Sequence, residues 1–71
     1  MLIRVADREL VSDLCAHYAR SGFLASSVGG GMIEVTRPMA GRESEEAQAI
    51  ELHLQIWRHS NRGVQVEWVS R

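Results

Sequence analysis

Phe23-Leu24-Ala25-Ser26-Ser27-Val28, followed by Gly29-Gly30-Gly31 and then Met32-Ile33-Glu34-Val35-Thr36, is the stretch on which the fold of this chain turns. Three consecutive glycines supply the positive φ angles that a tight hairpin demands, so two strands, 23–28 and 32–36, are expected to pair antiparallel. Upstream, Ile3 and Val5 alternate with Leu2 and Arg4 in a short strand over residues 1–6. Asp7 stops that strand and offers its carboxylate to the free N–H groups of a helix reaching about Ser21, with Glu9 at the favourable end of the dipole. The apolar residues of this helix, Leu10, Val11, Leu14, Cys15 and Tyr18, recur at steps of three and four, and Gly22 sits where a left-handed cap is needed.

Downstream of the hairpin, Pro38 forbids continuation of the strand, and residues 37–43 form a loop. Ser44, followed by Glu45 and Glu46, caps a second helix that runs to about Ser60. Asn61-Arg62-Gly63 then turns the chain into a last strand, in which Val64, Val66 and Trp68 alternate with Gln65, Glu67 and Val69.

The element order β-α-β-β-α-β suits an α+β sandwich of the ferredoxin-like, split β-α-β kind: a four-stranded antiparallel sheet in the order 4-1-3-2 with both helices on one face. Each helix has one apolar stripe and each strand one apolar side, and stacking the layers satisfies both. Ile3, Val5, Ile33, Val35, Val64, Val66 and Trp68 are then expected to point inward. On the open face, Arg4 is expected between Glu34 and Glu67, in cross-strand pairs contributing about 0.2–1 kcal/mol each.

Length sets the energetic frame. The chain has 71 residues, enough for one domain over 1–71, and a chain this short hides only roughly 60% of the surface of its unfolded form. Hydrophobic residues at 45% and charged residues at 24% are ordinary for a globular protein and argue against disorder. A single Cys15 allows no internal disulfide, and the histidines lack metal-finger spacing, so oligomerisation is the remaining way to support a small core. The N-terminal apolar run is too short for a signal peptide and no stretch approaches the about 20 apolar residues of a membrane span, so a cytoplasmic protein with no membrane association is expected. A formal net charge of −1 argues against nucleic acid as a partner.

The second helix carries the most information about function. Ala47, Ile50, Leu54 and Trp57 form one apolar stripe and Ala49, Leu52 and Ile56 another, together spanning roughly 220° where a surface helix needs about 100°. Either the first helix covers the excess or a second copy does, and in the latter case Ala49, Leu52, His53 and Ile56 form a homodimer contact. His53 lies between the stripes, as a packing residue or as a pH-sensing element of that contact.

No catalytic residue, metal site or cofactor is assigned. Cys15 and His17 are two apart on a helix and point in different directions, and His53 and His59 project about 120° from one another. The glycine tract joins strand to strand, whereas phosphate-cradling loops lead into a helix. Arg37 and Arg42 precede the second helix and could hold an anion, but Glu43, Glu45 and Glu46 crowd the same end. RNA-recognition domains with this element order stack bases on aromatic residues of the central strands, and here those positions are Leu2, Arg4, Met32, Glu34 and Thr36. Asp7-Arg8-Glu9-Leu10 stands where metal-carrying relatives of the fold place Cys-x-x-Cys.

In element order and size, with Asp7, the helix to Tyr18 and the Gly22-Phe23 approach to the second strand as its local points, the chain resembles small regulatory modules of the ACT and PII-like type. It lacks the long loop of PII proteins. The resemblance implies a noncatalytic dimer that binds a small metabolite or a protein, and the first expectation is a regulatory module that dimerises through the second helix, a sheet edge, or both. The alternative expectation is a small dimeric α+β-barrel enzyme, whose facing sheets enclose a pocket lined by Leu2, Arg4, Glu34 and Glu67.

Overall fold

The computed structural model describes residues 1–37 and 43–70. β1 (Leu2–Val5) leads through a 3-10 turn, Arg8–Leu10, into α1 (Val11–Arg20), then β2 (Leu24–Gly29), β3 (Met32–Thr36), α2 (Glu43–Ser60) and β4 (Val66–Ser70). Asp7 caps the first helical segment as its sequence position implies, its Oδ1 accepting from the Glu9 N–H at 3.0 Å. The first turn nevertheless winds as a 3-10 helix and α1 proper begins only at Val11, a common tightening at helix ends. α2 starts at Glu43, one residue before the expected Ser44 cap, so its cap position falls outside the described residues.

All four strands pair antiparallel in one open sheet of order β2-β3-β1-β4, which read from the other edge is 4-1-3-2. Ile3, Val5, Ile33 and Val35 are buried in a single cluster with Leu14 and Tyr18 of α1, Phe23, and Ile50, Leu54 and Trp57 of α2. Val64, Val66 and Trp68, expected in that core, are half-buried and pack at its margin. The cause is position: β4 is an edge strand, with neighbours on one side only, and Val64 precedes it.

The helices run antiparallel to each other, since contacts pair Asp13 with Trp57, His17 with His53 and Tyr18 with Ile50, falling in one helix as they rise in the other. On the open face, Arg4 reaches Glu67 at 2.6 Å as expected, but stands opposite Met32 and not Glu34. The β1–β3 register places Leu2 across from Glu34, whose carboxylate lies 3.2 Å from the Met1 amino group.

The hairpin sets that register. Gly30 and Gly31 form its two-residue tip at φ +64° and +78°, the paired positive angles of the turns whose twist matches the flanking strands. Gly31 also accepts from the Val5 N–H at 2.8 Å, and a Cβ on it would stand 2.7 Å from the Val5 carbonyl oxygen. Gly30→Ala is expected to cost about 1–2 kcal/mol, the penalty of a left-handed backbone alone. Gly31→Ala should cost measurably more, because β1 must also move. Urea midpoints of the two variants test this, and equal losses would show that the close approach to β1 carries no weight.

Candidate functional site

Two flanks of α2 hold it in place through indole hydrogen bonds. Trp57 Nε1 donates to Asp13 Oδ2 on α1 at 2.7 Å, and Trp68 Nε1 on β4 donates to Glu51 Oε2 at 2.6 Å. Bonds to an ionised acceptor are stronger than neutral ones, so each secures a large apolar ring at a defined angle. Between these flanks the helix presents a third face, on which Leu52 is 59% and Ile56 49% exposed, with half-buried Ala49 beside them.

His53 lies at the border between that face and the α1–α2 seam. Its ring centroid is 5.6 Å from that of His17 and 5.3 Å from that of Phe23, the latter in an edge-to-face arrangement. Phe23 in turn meets Tyr18 edge-on at 5.4 Å. Four rings from α1, α2 and the approach to β2 therefore form one patch at the α1–α2 seam. Among the described residues, His17 Nε2 and His53 Nδ1 are both buried without a hydrogen-bond partner. An unsatisfied buried polar atom costs about 1–3 kcal/mol, so this seam stabilises less than a fully paired one would.

The imidazole of His17 titrates below its ordinary value, first because burial disfavours its charged form and next because His53 stands beside it, while the Asp13 carboxylate acts in the opposite direction. Burial also pushes the Cys15 thiol up, and the Tyr18 phenol is raised by burial and then by the charge of Glu51. Neither group is primed as a nucleophile or base at neutral pH. The Tyr18 hydroxyl instead donates to the Ile50 carbonyl at 2.8 Å.

Of the candidate contact residues, the structure brings Ala49, Leu52, His53 and Ile56 onto adjoining parts of one helix surface. The four open-face candidates divide. Arg4 and Glu67 neutralise each other and line a cleft of about 330 Å³ with Ala6, Arg58, Gln65 and Val66, whereas Leu2 and Glu34 lie outside its lining. Arg37 is exposed, its guanidinium carbon 6.0 Å from the centroid of the Phe23 ring, and Arg42 lies outside the described residues. Among the described residues no three His, Cys, Asp or Glu side chains are grouped to hold a metal, and no helix is long and apolar enough to cross a membrane.

The pairing of His17 with His53 escaped the sequence reading, which compared His53 only with His59 on its own helix. The signal is the antiparallel packing of α1 on α2, which brings together residues 36 positions apart. No protein-family model, curated protein or solved structure matches the chain.

The histidine patch makes stability depend on pH with a definite sign. Because the folded state lowers the proton affinity of His17, the unfolded chain binds that proton first as pH falls. The stabilising contribution of the neutral ring is complete above the ordinary histidine pKa, about 6.5, and declines below it until the lowered folded value is passed. The melting temperature should therefore drop between pH 7.5 and 5, and drop less in His17→Phe. Parallel curves for the two proteins would remove His17 as the cause.

Proposed function

We propose that this chain is a noncatalytic interaction or regulatory module of the ferredoxin-like type, acting as a homodimer through the outer face of α2. The observation that carries this reading is the apolar band of Leu52 and Ile56, left in solvent on a helix whose other flanks are already engaged by α1 and β4. Ala49 and His53 adjoin it and complete the contact proposed above. The β-α-β-β-α-β element order and antiparallel sheet support the ferredoxin-like assignment and the kinship with ACT and PII-like regulatory modules. In such a module a small metabolite or a second protein is the signal, and the His17–His53 pair, which borders the band through His53, would weaken the contact at acid pH.

The enzyme alternative finds less support. A pocket between facing open sheets would draw on Arg4 and Glu67, whose charges are spent on each other at 2.6 Å. The rings, the thiol and the phenol described above serve packing.

Sedimentation equilibrium provides the test. At equal concentration the native chain should show a larger mass than Leu52→Glu/Ile56→Glu, a pair of substitutions on exposed positions that leaves the core intact. Equal masses would dismiss the α2 contact.

A further inference from the structure

The outer edge of β2 offers a second surface of a different kind. The hydrogen bond from the Val35 N–H to the Met1 carbonyl, 2.8 Å, shows that Val35 directs its backbone groups toward β1. In an antiparallel sheet successive residues alternate sides, so Glu34 and Thr36 bond to their β2 partners Ser26 and Leu24. It follows that the N–H and C=O groups of Ala25 and Ser27 point out of the sheet, away from β3.

Edges of this sort are commonly guarded by charge, proline or a bulge, since bare backbone groups invite another strand. The far edge, β4, has two such guards: the charged Glu67, and a bulge at Val69, where Leu2 pairs with Ser70 but Ile3 with Trp68. β2 reads Leu24-Ala25-Ser26-Ser27-Val28-Gly29, with no charge and no proline, and its one irregularity, between Ser27 and Gly29, falls at the hairpin end. Strand alternation places Leu24, Ser26 and Val28 on the face away from the helices, and Leu24 and Val28 are 60% and 51% exposed.

We infer that β2 pairs with β2 of a second copy about a two-fold axis at Ser26, joining two sheets into one of eight strands. The pattern is self-complementary. With the axis at Ser26, the outward groups of Ala25 meet those of Ser27 of the other copy, and both pairs exchange two backbone hydrogen bonds. On the open face, Leu24 comes beside Val28 of the other copy, so four exposed apolar side chains are covered in two cross-strand pairs. No charge on either strand is brought against its like. A two-fold contact requires one patch to match itself, and β2 does so in backbone register, side-chain size and charge.

This inference does not rest on the α2 contact; with both two-fold contacts in place the native chain assembles beyond a dimer, so the β2 pairing is tested with the α2 contact removed. The Leu52→Glu/Ile56→Glu chain should still sediment with twice the monomer mass, and adding Ser26→Lys, which sets two ammonium groups face to face at the axis, should halve it. Ser27→Pro, which deletes an outward N–H without touching the β3 ladder, should act in the same direction. Circular dichroism confirms that each variant is folded. In the double variant the amides of Ala25 and Ser27 should also exchange with solvent about tenfold or more slowly as concentration is raised. A monomeric double variant, or fast exchange of both amides at every concentration, overturns the β2 pairing, including the case in which the edge is kept for a strand of another protein. A dimer indifferent to Ser26→Lys and Ser27→Pro overturns it as well.

Discussion

The phenol of Tyr18 has no access to solvent, so its hydroxyl must find an acceptor inside the protein, and the acceptor is the Ile50 carbonyl on the other helix. A buried hydroxyl left unpaired costs about 1–3 kcal/mol, a substantial fraction of what holds so short a chain together. The backbone oxygen of the same residue accepts from the N–H groups of Ser21 and Phe23 and so ends α1 and directs the chain into β2. One side chain thus couples the end of the first helix, the start of the hairpin and the middle of the second helix. With that point fixed and the helices antiparallel, His17 is brought against His53 and Asp13 against Trp57.

The breadth of the apolar arc on α2 has a physical explanation in three directions. Ile50, Leu54 and Trp57 meet the sheet and are buried. His53 and the Trp57 indole meet α1, while Glu51 turns toward β4 and accepts from Trp68. Leu52 and Ile56 remain 59% and 49% exposed. Ten buried side chains among the described residues make a small core with little stabilisation to spare, and the exposed apolar side chains of α2 and β2 are the surfaces through which the proposed self-association would add to it. The two differ in kind: the helix offers side-chain area alone, whereas the strand edge adds directed backbone hydrogen bonds.

The buried and half-buried aromatic side chains place polar bonds at the seams between layers. Each indole is matched to a carboxylate and the phenol to a carbonyl, so these bonds specify how the layers sit. The histidine nitrogens are the exception. Two imidazoles are held close together at the α1–α2 seam, and among the described residues His17 Nε2 and His53 Nδ1 meet no hydrogen-bond partner.

Local rules written in residue order determined the elements. Asp7, the glycine tract and the three- and four-residue spacing of Leu10, Leu14 and Tyr18 act on neighbours in the chain, so the helices, the hairpin and the inward side of the first and third strands were legible, whereas the sequence left open whether the first helix covers Leu52 and Ile56. Tertiary structure alone decided the rest. The sheet register put Met32, and not Glu34, opposite Arg4, and edge position left Val66 and Trp68 at the margin of the core. The indole–carboxylate bonds and the meeting of His17 with His53 join residues 17 to 44 positions apart. Such contacts depend on how whole elements pack, through distances and angles that no periodicity along one helix encodes.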